Sequence, residues 1–362
     1  MKRILVTGGL GFIGLYLVRK LLALSREADC TIHVVDDLRT SPLTAEQART
    51  FWPDAGRVTL HTDSVEHFMD SYGGPPFHEV YHLASIVGPA RVLHHGGTIL
   101  DSISQASRAV VEHVSRAGGK LAYISTSEVY GGGHEGECRE DMSCVISSTA
   151  TARLEYAVAK LAIEVALRNL CRRKGVAACV IRPFNVAGPR QSCMGGFVVP
   201  RFVSQALTHR PLTLYGDGSQ VRALTHVEDF VRGMMLVMER GQACAIYNIG
   251  NPANRVTMRE LAASVIEVTG SPSRIECCDP RDLHGPEYAE ATDKYPNADL
   301  LISLGWKPRM DTRRIVRDSS EFLSECDDDL FFRLTNIAGS ERHGATPNRA
   351  ADALRDRSEA LA

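Results

Sequence analysis

No apolar run in this 362-residue chain approaches the length of a membrane-spanning helix. Nor is there a surplus of charge of either sign. The 41 Lys and Arg stand against 43 Asp and Glu, a formal charge of −2 that offers no field for a nucleic-acid backbone. Arg172-Arg173-Lys174 is a short basic run that reads as a solvated helix end. Ten cysteines occur without C-x-x-C pairing, and the adjacent Cys277 and Cys278 can form neither an ordinary disulfide nor a metal cage; buried free thiols are expected. His94 and His95 lack the carboxylate spacing of a metal site. There is no internal repeat. Met1-Lys2-Arg3 runs straight into an apolar strand without a cleavage site, so a cytoplasmic location is expected.

What is present is a periodic α/β pattern with chemistry at its strand ends. Ile4-Leu5-Val6 reads as a buried strand, Thr7 to Gly14 as a glycine-rich turn and the stretch to about Leu24 as a helix. In such a turn Gly8 permits the tight bend, Gly11 lets backbone approach a diphosphate and Gly14 lets the helix close on the strand. The helix N-terminus then offers free N–H groups to the anion. A second strand, Thr31 to Val35, ends in Asp36-Asp37, and a carboxylate at Asp36 suits the ribose hydroxyls of NAD while repelling the extra phosphate of NADP. Further along, Tyr156 and Lys160 lie four residues apart on a predicted helix, 150–174. They share a face, where an ammonium favours the phenolate and makes the tyrosine a general base.

These blocks, with Asp63 after an apolar strand, H-L-A-S (82–85), S-T-S-E-V-Y-G (125–131), R-P-F-N-V-A-G-P-R (182–190), Y-G-D-G-S-Q-V-R (215–222) and Y-N-I-G-N-P (247–252), resemble the extended short-chain dehydrogenase/reductase family that modifies nucleotide-linked sugars. The resemblance runs from Met1 to about Phe322. It implies a Rossmann doubly wound parallel sheet over residues 1–182 and a smaller mixed α/β substrate lobe over 183–330, some later segments returning to the first domain. Residues 336–362, poor in large apolar side chains, read as a mobile tail. By the same resemblance NAD would be bound by Gly8, Gly11, Phe12, Ile13, Gly14, Asp36, Asp63, Ser64, Leu83, Ala84, Ser85, Tyr156 and Lys160. Asp63 would meet the adenine, and His82 to Ser85 would line the cofactor. A homodimer through helices 98–117 and 150–174 is also implied.

The reaction follows from the sugar end. The resemblance makes Tyr156 the base, Lys160 its partner and Thr126 a helper hydroxyl, with Ser127, Arg153, Asn185, Arg190 and Arg222 toward the substrate. Glu128 narrows the outcome. A simple 4-epimerase needs no acid there, whereas a carboxylate beside the sugar suits either a 4,6-dehydratase or a hexuronate decarboxylase. Dehydratases acting on dTDP-glucose carry T-D-E where this chain has Thr126-Ser127-Glu128. Arg153, three before Tyr156, matches the R-x-x-Y of UDP-glucuronate decarboxylases, and the segment from Gly285 through Asp293-Lys294-Tyr295-Pro296 to Trp306 resembles their C-terminal region. By this resemblance a UDP-glucuronate decarboxylase is expected first, with a UDP-glucose or UDP-glucuronate 4-epimerase or an NDP-sugar 4,6-dehydratase as the alternatives. Ser102 stands near where the family usually has an asparagine behind the tyrosine. The fold also serves as an NAD-sensing scaffold without catalysis, but the presence of both Tyr156 and Lys160 points to an enzyme.

Overall fold

The structure, a computed structural model, describes residues 2–24, 30–41, 43–131, 136–147, 151–285, 288, 291 and 293–337. Ala150, Pro286, Glu287 and the expected tail from residue 338 onward lie outside the described residues.

The first half alternates as the apolar runs predict: β1 (Lys2–Thr7), α1 (Phe12–Leu24), β2 (Cys30–Asp36), α2 (Ala45–Phe51), β3 (Val58–Thr62), α3 (Val65–Ser71) and β4 (Glu79–His82). A short helix α4 (Pro89–His94) and the long α5 (Ile99–Ala117) lead to β5 (Lys120–Ile124), followed by β6 (Glu137–Cys138), α6 (Ala152–Lys174) and β7 (Ala177–Pro183). The second half is broken into shorter pieces: β8 (Val186–Ala187), α7 (Val198–Leu207), β9 (Leu212–Tyr215), β10 (Val221–Ala223), β11 (Thr225–His226), α8 (Val227–Arg240) and β12 (Ile246–Ile249). It continues through β13 (Arg255–Thr257), α9 (Met258–Thr269), β14 (Ile275–Cys278), α10 (Pro280–His284), β15 (Tyr295–Pro296), α11 (Asp299–Ser303), α12 (Thr312–Glu325) and α13 (Asp328–Thr335).

Seven strands form one sheet in the order β3-β2-β1-β4-β5-β7-β12, every pair parallel. This is the doubly wound architecture. Because both faces of a parallel sheet are covered, its strands are apolar on both sides. Ile4 and Val6 of β1 pack on one face with α1 and α8, while Leu5 turns to the other face with α3, α5 and α6. Chain order reverses between β1 and β4, which opens a crevice at the carboxyl ends of the strands.

Residues beyond 183 do not stay apart from this core. β12 adds to the sheet beside β7, and Phe230 and Met234 of α8 are buried in the same cluster as α1. A separate cluster joins Phe202, Leu214, Leu261, Ile315, Val316 and Phe331 into the smaller lobe. At the end of α13, Asn336 takes the left-handed conformation and donates to the Phe332 carbonyl, and Ile337 is buried; the expected tail therefore has two ordered residues at its start.

Candidate active site

The crevice is the mouth of a cleft of about 1000 Å³ that runs from the β2 and β3 ends across β1, β4 and β5 into the smaller lobe. Every expected cofactor residue lines it: Gly8, Gly11, Phe12, Ile13, Gly14, Asp36, Asp63, Ser64, Leu83, Ala84, Ser85, Tyr156 and Lys160. The glycines are required by space. A β-carbon on Gly8, which has φ +69°, would lie 2.7 Å from the Ala84 nitrogen, and one on Gly14 would run into the Gly8 carbonyl. Asp36 is buried at the end of β2 and accepts the Leu10 and Leu38 N–H groups, each at 2.9 Å. Burial pushes its carboxyl up while those donors pull it down. A glycine cradle at the start of α1, with a buried acid at the next strand end, fits the diphosphate and ribose of NAD.

At the far end of the cleft, α6 supplies Tyr156 and Lys160. Thr151 caps the helix by accepting the Leu154 N–H at 3.2 Å, and Gly175 ends it in the left-handed region. Thr126, just past β5, hydrogen-bonds to the Tyr156 phenol and accepts the Glu128 N–H at 3.1 Å. Lys160 donates to the Ile124 carbonyl at 2.9 Å and lies 5.2 Å from the centre of the Tyr123 ring.

The electrostatics differ from the sequence expectation. Burial pushes the Tyr156 phenol above its ordinary value, Glu128 adding to the rise and the Thr126 hydrogen bond opposing it; Lys160 is not among the causes. Lys160 itself is pushed down to about 7 by burial, with Glu164 opposing. In the protein alone the amine is thus spent on a carbonyl, and the phenol keeps its proton.

Glu128 sits between two cations. Arg153 donates to it from Nε at 2.5 Å and from Nη2 at 3.1 Å, and Lys294 forms a close ion pair with it. Burial would raise the Glu128 carboxyl, but Lys294 and then Arg153 outweigh it and hold the group well below the usual carboxylate range. Burial lowers Lys294 from its ordinary value despite Glu128. Lys294 is the site residue that sequence reasoning left out. It stands in the quoted D-K-Y-P segment, but only the parallel pairing of β15 with β6 and the bridge to Arg222 deliver it to the cleft. Arg222 is buried there and donates to the Ala291 carbonyl at 2.7 Å.

Ser127, Asn185 and Ser102 also line the cleft. Asn185 has φ +40° and donates to the Ala223 carbonyl at 3.2 Å. Two expectations are corrected. Arg190 is not at the cleft: its guanidinium lies 4.0 Å from the Phe51 ring centre and 4.5 Å from that of Phe322, and it hydrogen-bonds to Tyr16. Stacking on two rings makes it a tie between α2 and α12. His82 lies behind the cleft, bonded to the Thr7 hydroxyl at 2.7 Å and the Ser107 hydroxyl at 3.0 Å, and burial drives its pKa down to about 3. All ten cysteines are free thiols, but only Cys30, Cys138, Cys171 and Cys179 are buried; Cys277 is exposed and the other five are partly exposed. Among the described residues there is no cluster fit for a metal and no helix long and apolar enough to cross a membrane.

Charge is segregated along the cleft. On the β2 and β3 side the described lining carries Asp36, Asp37, Asp63 and Glu66 with Arg39. On the other side Arg91, Arg153, Lys160, Arg201, Arg222 and Lys294 face the single acid Glu128. That half is built for an anion.

Known proteins resemble this chain in sequence and in fold. The profile described as the NAD dependent epimerase/dehydratase family matches residues 4–250. UDP-glucuronic acid decarboxylase 1 of Arabidopsis thaliana is 29% identical over 324 residues, which are 87% of this chain and 69% of that protein. UDP-N-acetyl-alpha-D-glucosaminuronate decarboxylase of Bacillus cytotoxicus is 26% identical over 335 residues, 91% of this chain and 99% of that one. Among solved structures, the dTDP-glucose 4,6-dehydratase DesIV of Streptomyces venezuelae, crystallised with NAD and TYD, has a TM-score of 0.77 at 24% identity over 89% of this chain and 97% of its own. At that identity the likeness is one of fold.

Proposed function

The chain belongs to the NAD dependent epimerase/dehydratase family, and on that premise we propose that it removes CO2 from a UDP-linked hexuronic acid, UDP-glucuronate first, by way of a 4-keto sugar. The cofactor is NAD. When bound, it supplies the hydride acceptor for C4 and a cationic ring. With that positive charge nearby the Tyr156 phenol would ionise, and the phenolate would take the C4 hydroxyl proton, with Thr126 sharing the same oxygen through its own hydroxyl. The acid group on C5 is then β to a ketone, and the C5–C6 bond can break with its electron pair passing to the C4 oxygen. Hydrogen bonds from Tyr156 and Thr126 stabilise that oxygen, and C5 gains a proton.

The observation that carries this reading is the pairing of Glu128 with both Arg153 and Lys294. A carboxylate already paired with two cations is a poor acceptor for a C5 proton, which counts against a dehydratase. Loss of CO2 from a β-keto acid needs no such base. The surplus of cations beside it suits a sugar that carries its own carboxylate, which a neutral hexose lacks. The decarboxylases among the relatives support the same choice. We read the enzyme as a homodimer through α5 and α6, each of which leaves an apolar side chain exposed, Leu100 and Val165.

The test is product analysis. Incubated with UDP-glucuronate and with UDP-glucose, the enzyme should convert the first with release of CO2 and leave the second unchanged. Lys294→Met should raise KM for UDP-glucuronate by about tenfold or more, as expected when a charged hydrogen bond is lost. A product of unchanged mass, inverted at C4, would make it an epimerase instead.

A further inference from the structure

Arg91 is a cation that nothing in the site described so far employs. It sits on α4, half-buried in the cleft wall, and among the described residues its guanidinium has no acid or hydrogen-bond partner. Burial alone lowers its pKa. A cation taken partly out of water without a counter-charge is a net cost to the folded protein, unless a ligand returns the interaction.

The helix that carries it is firmly placed. Its N-cap Gly88 has φ +97°, and a β-carbon there would come within 2.5 Å of the Gly195 carbonyl, so the turn before α7 is stacked directly on the start of α4. The next residue, Val92, is buried in one cluster with Tyr156, Ile99 and Ile103. Arg91 therefore stands one residue from the packing of the catalytic tyrosine and lines the cleft.

We propose that Arg91 binds a phosphate oxygen of a diphosphate ligand in the cleft. A planar guanidinium with five N–H donors is suited to a phosphate, and the cleft that Arg91 lines has two diphosphates to hold, that of NAD and that of a nucleotide sugar. The chemistry is shared, and binding measurements separate the sources.

Calorimetric titration of the intact protein with NAD and, separately, with UDP decides the matter. Arg91→Met should weaken binding of at least one of them by about tenfold to a hundredfold and flatten the salt dependence of that binding. Weakened NAD binding identifies the cofactor as the source, and weakened UDP binding identifies the substrate. Arg91→Lys should fall between wild type and Arg91→Met. The ligand-free Arg91→Met protein should melt no lower than wild type, since it loses an unpaired buried charge; a residue of purely structural use would lower Tm and leave both affinities in place. Affinities for NAD and UDP both within twofold of wild type would overturn the proposal. Neither titration involves turnover, so the outcome does not depend on whether the sugar is decarboxylated.

Discussion

At the scale of single residues, the tyrosine and lysine that announce the chemistry do not behave as their spacing suggests. Four residues apart on α6 they share a face, yet Lys160 donates to Ile124 and burial sets the titration of both groups. The sign for stability follows from the depressed lysine. Between about 7 and its ordinary 10.5 the unfolded chain binds a proton that the folded protein does not, so stability rises with pH across that window. Below 7 both states are protonated and the folded state bears the full cost. Lys160→Met removes this dependence. Its stability advantage over wild type, read from urea midpoints, should be largest below pH 7 and shrink toward pH 10; an advantage that does not change with pH would contradict the burial of a charged amine. Lys294 titrates with the same sign, which is why the comparison is made against wild type.

At the scale of elements, α6 is fastened to the sheet by a buried ion pair. Glu164, one turn beyond Lys160, accepts from Arg182 of β7 at 3.1 and 2.6 Å and from the Ser125 hydroxyl just past β5. Both partners are nearly inaccessible, with side chains 3% and 2% exposed. Removing one member leaves the other charged and unpaired in the interior. Arg182→Leu should cost about 3–5 kcal/mol in denaturant unfolding, and the double variant Glu164→Leu/Arg182→Leu should recover most of it. A double variant no better than the single one would assign the loss to packing instead. The Tyr156–Lys160 spacing made α6 legible in the sequence, because residues four apart on a helix share a face. This fastening was not legible, since Glu164 and Arg182 are ordinary polar residues until β5, β7 and α6 come together.

At the scale of the molecule, the site is completed by chain that travels furthest. Asn248 of β12 is wholly buried and works in several directions: it accepts from the Tyr130 hydroxyl at 2.8 Å and donates to the carbonyls of Cys138 at 2.9 Å and Asn297 at 3.2 Å. It thereby clamps β6 and Asn297, the residue just after β15, to the edge of the sheet, and Lys294 stands immediately before β15. Asn248→Leu should destabilise the protein by about 1–3 kcal/mol for the polar groups left unpaired. It should also raise KM for the hexuronate, although Asn248 is not part of the cleft lining. An unchanged KM would show that Lys294 holds its place without the clamp. The sequence by itself determined the parallel sheet, the glycine cradle, the acid at the end of β2 and the tyrosine helix, because each is written in a short stretch whose periodicity or spacing has one steric solution. Only the tertiary structure decided that Lys294 joins Arg153 on Glu128, that Arg190 leaves the cleft to stack on two rings, and that the tyrosine keeps its proton in the protein alone. Those outcomes depend on burial and on contacts between residues more than a hundred positions apart, and no local pattern encodes either.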